Sequence, residues 1–127
     1  MRLLLDTHLM LWWAGKNPRL PKAIRKLADA AESVYFSRAS MWEIAIKASM
    51  GRLKLDVSQF SESIERHGFE WLEIKDAHLR AVAVLPFIGD HRDPFDRLLV
   101  AQSMTEPLLL LTSDAALTRY GTTVRLV

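Results

Sequence analysis

Four acidic residues in this chain could do chemistry together: Asp6, Glu43, Asp96 and Asp114. Asp6 ends the apolar run Leu3-Leu4-Leu5. Asp114 follows a second run, Leu108 to Leu111, after Thr112 and Ser113. Glu43 and Asp96 lie inside two helix-like segments. Carboxylates brought to one place repel each other unless protons or a cation hold them. Converging oxygen ligands favour a hard divalent ion, Mg²⁺ or Mn²⁺.

Each acid also has a local alternative. Asp6 and Asp114 each precede a predicted helix, and Asp is a preferred helix N-cap, worth about 1 kcal/mol. Asp93 suits an N-cap followed by Pro94 at the first helical position, which puts Asp96 in the first turn, where an acid complements the helix dipole. Glu43 can pair with Lys47 at i,i+4. Yet Met41, Trp42, Ile44, Ala45 and Ile46 surround Glu43 with apolar side chains, so its carboxylate needs a partner, either Lys47 or a metal. Glu62, Glu65, Glu70, Glu73 and Glu106 read as solvated charges on amphipathic faces or element ends, and Asp56 and Asp90 as turn residues.

The elements that must position these acids follow from the hydrophobic pattern. Leu3 to Leu5 reads as a central strand covered on both faces. Thr7 to Ala14 reads as a helix, Gly15 to Pro21 as a loop, and Pro21 opens a helix running to about Ala31. Val34 to Ser37 predicts a second strand. Ala39 to Met50 predicts a helix capped near Ser37 or Ser40 and stopped at Gly51. A helix over Ser58 to His67, with Ser58 as its cap, precedes a strand within Phe69 to Ile74. Asp76 is predicted to cap a helix from Ala77 to Val84, and Pro86 to Arg92 is a loop. Asp93 opens a helix ending before Pro107, Leu108 to Thr112 is the strongest strand signal, and Thr123 to Val127 follows a short helix broken at Gly121. Strands alternating with helices imply an α/β fold with a mostly parallel sheet. In such sheets ligands bind beyond the carboxyl ends of the strands, where Asp6 and Asp114 stand. Thr7, Thr112 and Ser113 flank these acids with hydroxyls able to orient them. Trp12, Trp13 and Trp42 read as core.

Composition bounds the rest. The chain has 127 residues, half of them hydrophobic and a quarter charged, enough for one globular domain with a real core. It has no cysteine, which excludes disulfides and thiolate zinc sites and fits a reducing, cytoplasmic setting. No apolar run is long enough to span a bilayer. A net charge of +2 and pI of about 9.2 permit a nucleic-acid ligand without demanding one. Paired metal-binding histidines, a serine-hydrolase elbow and glycine-rich nucleotide loops are all missing. His8 and His91 are read as structural or surface residues.

Four segments carry a resemblance: Leu4-Leu5-Asp6-Thr7-His8, Ser40 to Lys47, His91 to Gln102, and Leu111 to Leu117. In this order they resemble the PIN domains, especially the VapC-type toxins of prokaryotic toxin–antitoxin pairs. The resemblance covers nearly the whole chain. It implies a PIN-like three-layer fold, with a central, mostly parallel sheet flanked by helices, as a single domain over 1–127. It implies a Mg²⁺- or Mn²⁺-dependent endoribonuclease with Asp6, Glu43, Asp96 and Asp114 as catalytic and metal-binding acids. Asp6 and Asp96 would bind the metal directly, and in-line hydrolysis would leave 5′-phosphate and 3′-hydroxyl ends. A cognate VapB-type antitoxin and a homodimeric state are further implications. RNA phosphates would meet Arg38, Lys47, Arg92 and Arg97 at the rim. Two rival classes are an Asp-dependent phosphatase, whose pattern wants an acid where His8 stands, and a non-catalytic interaction module.

Overall fold

The computed structural model describes residues 1–127. Five strands and six α-helices alternate along the chain: β1 (Arg2–Leu5), α1 (Thr7–Ala14), α2 (Lys22–Ala30), β2 (Ser33–Ser37), α3 (Arg38–Ser49), α4 (Val57–Arg66), β3 (Glu70–Leu72), α5 (Asp76–Val84), α6 (Pro94–Thr105), β4 (Leu109–Thr112) and β5 (Val124–Leu126), with a 3₁₀ helix (Ala115–Tyr120) between the last two strands. The sheet order is β3-β2-β1-β4-β5 and every pairing is parallel. The order reverses direction between β1 and β4, so the chain leaves those two strands toward opposite sides. A crevice opens at such a switch point, beyond the carboxyl ends of the strands.

The run Leu3-Leu4-Leu5 is wholly buried because side chains on a strand alternate and both faces are covered. Leu3 and Leu5 point into a cluster with Leu9 and Met10 of α1, Ile24 of α2, Ile44 of α3, and Phe60 and Ile64 of α4. Leu4 points the other way, toward Leu99 and Val100 of α6, Leu110, Leu117 and Val124. The result is three layers: α1 to α4, the sheet, and α5, α6 and the 3₁₀ helix. The α/β reading of the sequence, a parallel sheet between helical layers, holds. No helix is long and apolar enough to cross a membrane.

Several local readings are corrected. Helix α4 begins at Val57, capped by Asp56, whose carboxylate accepts the Gln59 N–H at 2.9 Å; Ser58 lies inside the first turn. Helix α5 begins at Asp76. Its cap is the ring of His78, whose Nδ1 accepts the Lys75 N–H at 3.0 Å. Trp42 is 59% exposed rather than core. The buried side of α3 is Ala39, Ser40, Glu43 and Ile44, and a residue one step from Glu43 on a helix points about 100° away. Trp12 and Trp13 are half-buried at the edge of the first cluster. Glu106 is not a solvated charge: its side chain is 17% exposed, 2.5 Å from His78 Nε2 and 3.6 Å from Lys75 Nζ.

Candidate active site

Asp6 is the residue after β1 and the N-cap of α1. One carboxylate oxygen accepts the Leu9 N–H at 2.9 Å. The other accepts the hydroxyl of Thr112, the last residue of the neighbouring β4, at 2.5 Å. Thr112 Oγ1 in turn accepts the Asp114 N–H at 3.0 Å. One buried threonine thus ties together the acids at the ends of the two strands that flank the switch point. Asp114 is exposed and caps the 3₁₀ helix with one oxygen, which accepts the Ala116 N–H at 3.0 Å. The capping roles available to Asp6 and Asp114 are both realised.

Glu43 enters from α3 and is buried. Its Oε1 accepts the Thr7 hydroxyl at 2.8 Å, and Thr7 also lies 2.9 Å from Ser40 Oγ. Its Oε2 accepts from Lys47 Nζ at 2.8 Å. Lys47, the partner that the sequence offers one turn on, is engaged, and Thr7, read as flanking Asp6, binds Glu43 instead. Asp96 stands in the first turn of α6. Its Oδ2 is 3.3 Å from His91 Nε2. The adjacent Asp93 caps α6, accepting the N–H groups of Phe95 and Asp96 at 2.9 and 3.0 Å.

The electrostatics match an acid-rich crevice. Burial pushes the Asp6 carboxyl up, and the Thr112 hydroxyl partly opposes this. Asp96 is pushed up to about 6, first by burial and then by the charge of Asp93, with Glu43 adding a smaller push against the His91 contact. Glu43 acts on Asp96 and accepts from Thr7, the residue after Asp6, while Asp6 and the Asp114 N–H meet at Thr112. The four acids do not form a closed cage: no three His, Asp or Glu side chains stand close enough to hold one ion directly. The donor set nevertheless fits a small hard cation. Magnesium keeps several waters and uses one or two carboxylates, and the burial that opposes ionisation of Asp6 and Asp96 is relieved by a cation.

Two rim assignments change. Arg97 is buried, 5% exposed. Its guanidinium donates to the Leu85 and Pro86 carbonyls at 2.8 and 2.9 Å and to the Tyr120 hydroxyl at 3.2 Å. It is unavailable to a solvent-borne phosphate. Arg38 is accessible but paired with Glu73 at 2.8 Å and stacked over Trp71. A cleft of about 860 Å³ lies on the α1–α4 side and reaches the acids through Lys47, the partner of Glu43. His8, Lys47, Arg52, Lys54 and Arg66 are among the residues that line it. Tyr120, which reaches both Arg97 and His91, escaped the sequence reading because nothing local marks a tyrosine at the end of a 3₁₀ turn.

A parallel five-stranded sheet with acids at its switch point, in this element order, is matched by the PIN domain family model over residues 3–122, and the chain belongs to that family. Ribonuclease VapC22 of Mycobacterium tuberculosis (strain ATCC 25618 / H37Rv) is 27% identical over 124 residues, covering 91% of this chain and 88% of that protein. Among solved structures, VapBC2 from Rickettsia felis, bound to a DNA fragment from its promoter, superposes with a TM-score of 0.69 at 15% identity, covering 100% of this chain and 98% of the other. FitAcB from Neisseria gonorrhoeae superposes with a TM-score of 0.67 at 18% identity, covering 93% and 91%. At these identities the structures speak for the fold.

Proposed function

We propose that this protein is a VapC-type toxin: a cytoplasmic, divalent-metal-dependent endoribonuclease restrained by a VapB-type antitoxin. The observation that carries this reading is the junction at Thr112, which holds Asp6 and Asp114 together at the carboxyl edge of the sheet. Asp6 and Asp96 would hold a Mg²⁺ or Mn²⁺ ion, and Glu43 and Asp114 would complete the acidic set directly or through water. A bound divalent cation supplies Lewis acidity and neutralises charge on the scissile phosphate. The chain's own residues do the rest. Thr112 and the Leu9 N–H fix both oxygens of Asp6. Thr7 and Lys47 fix those of Glu43, with Lys47 offsetting part of the negative charge that would repel RNA. Lys47, Arg52, Lys54 and Arg66 give an RNA backbone a basic approach along the adjoining cleft. The resemblance to VapC22, itself named a ribonuclease, supports the activity, and the fold shared with VapBC2 from Rickettsia felis is in keeping with an antitoxin partner.

The test is to map RNA 5′ ends after induced expression, beside an Asp6→Ala control whose fold is checked by circular dichroism. New 5′-phosphate ends that vanish in the control support the reading. Identical end maps for wild type and control overturn it.

A further inference from the structure

The loop between α5 and α6 is held with unusual firmness for a surface connection. The Arg97 guanidinium binds its first two carbonyls, those of Leu85 and Pro86. The guanidiniums of Arg97 and Arg92 lie 4.1 and 4.5 Å from the ring centroid of Phe87, an exposed aromatic. Arg92 also donates to the Gly89 carbonyl at 3.0 Å. Gly89 itself has φ +57, and a Cβ there would come within 3.1 Å of the Arg119 guanidinium. The residue this loop delivers is His91, whose side chain is only 14% exposed.

The hydrogen-bond roles around His91 follow from its two partners taken together. A guanidinium has donors and no acceptor. Arg97 Nη1, 3.2 Å from Tyr120 Oη, therefore donates to that oxygen. The tyrosine oxygen has room for a second donor, but the Asp96 carboxylate that faces Nε2 only accepts, so Nε2 is the donor and the tyrosine proton points at His91 Nδ1, 2.8 Å away. An Nδ1 that accepts carries no proton, so a neutral ring carries its proton on Nε2. Nε2 faces Asp96 Oδ2 at 3.3 Å. The edge-on packing of the His91 and Tyr120 rings, 5.5 Å between centroids at 72°, holds both planes.

We propose that Arg97 and Tyr120 lock His91 as the Nε2–H tautomer and make it a positioning residue that fixes the orientation of the Asp96 carboxylate. The chain Arg97–Tyr120–His91–Asp96 joins α6, the 3₁₀ helix and the loop before α6. It sets Oδ2 of Asp96 against a donor, while Oδ1 takes no hydrogen bond from the protein. That the oriented group serves a metal rests on the proposed function; the tautomer and the orientation do not.

The experiment uses wild type, Tyr120→Phe and His91→Gln, with Asp96→Asn as reference. The His91 ring is read by long-range ¹H–¹⁵N correlation at pH 8 without metal or RNA. The proposal predicts a protonated Nε2 and bare Nδ1 in wild type, and a mixture of tautomers in Tyr120→Phe. An Nδ1–H ring, a doubly protonated ring, or an unchanged ring in Tyr120→Phe overturns it. Mn²⁺ affinity, followed by electron paramagnetic resonance, should fall about 10-fold in Tyr120→Phe and be partly retained in His91→Gln, whose amide can still donate to Asp96. RNA cleavage should lose kcat by a similar factor with KM within about twofold. Equal Mn²⁺ affinity and kcat in folded wild type and Tyr120→Phe overturn the positioning role. If wild type and Asp96→Asn bind no Mn²⁺ and cut no RNA, the ribonuclease reading fails, and the ring spectrum alone decides the lock.

Discussion

Asp96→Asn should make the metal-free protein more stable, although it removes a residue central to the site. Asp96 ionises at about 6 in the fold against an ordinary 3.8, chiefly because it is buried and secondarily because Asp93 is close. Its folded value is raised, so the ionised form costs stability. That cost is full above pH 6 and disappears as pH falls from 6 toward 3.8. At ~1.4 kcal/mol per pH unit, the full cost is about 3 kcal/mol. The side chain is 29% exposed, and solvent and salt reduce the figure to roughly 1–2 kcal/mol. Asparagine keeps the shape, can still accept the His91 N–H, and has no charge to bury. Thermal melts in EDTA at pH 8 should therefore place Asp96→Asn roughly 3–8 °C above wild type. At pH 4.5 most of that gain should be gone. A variant that melts at or below wild type at pH 8, or whose advantage is the same at pH 4.5, would refute the reasoning.

Other positions give separate tests. Thr112→Val keeps the shape but removes the donor to Asp6 and the acceptor for the Asp114 N–H; chemical denaturation should show a loss of about 1–3 kcal/mol, and cleavage should fall with it. Arg97→Lys should cost roughly 2–4 kcal/mol, because an ammonium cannot reproduce the fork that binds Leu85, Pro86 and Tyr120, whereas Arg92→Ala should change urea stability by no more than about 0.5–1 kcal/mol. His78→Leu leaves the Lys75 N–H uncapped and Glu106 without its nearest partner, for a loss of about 2–4 kcal/mol by denaturant titration. The His78 contact holds the Glu106 carboxyl below its ordinary 4.5. Its contribution is present above that value and lost as pH falls through the lower folded one, so the variant should show a shallower loss of stability below pH 4.5 than wild type.

Much of the scaffold was legible because it rests on short-range chemistry. A continuous Leu3-Leu4-Leu5 run bounded by Asp6 can be buried only as a central strand, and the strand–helix alternation then forces a parallel sheet. Asp93-Pro94 announces the start of α6, and Thr7 and Thr112 are legible as hydroxyls beside the acids, although the carboxylates they bind, Glu43 and Asp6, lie 36 and 106 residues away. What escaped was tertiary. Trp42 reads as core beside Ile44 and Ala45, but the buried stripe of α3 runs through Ser40, Glu43 and Ile44 and leaves the indole outside. Arg97 reads as a phosphate contact until the fold brings the carbonyls of Leu85 and Pro86 over it. The His78–Glu106 pair spans 28 residues, and no local pattern marks either member. The sequence order of the acids is plain, but their spacing in the crevice depends on helix positions that only packing determines.

The central claim is that Asp6 and Asp96 jointly hold one divalent ion at the carboxyl edge of the sheet. Anomalous diffraction from crystals soaked in Mn²⁺ tests it most directly. A manganese peak contacted by an oxygen of Asp6 and an oxygen of Asp96 is the predicted result. A fully soaked crystal with no peak there, or with manganese bound only elsewhere on the surface, would contradict it.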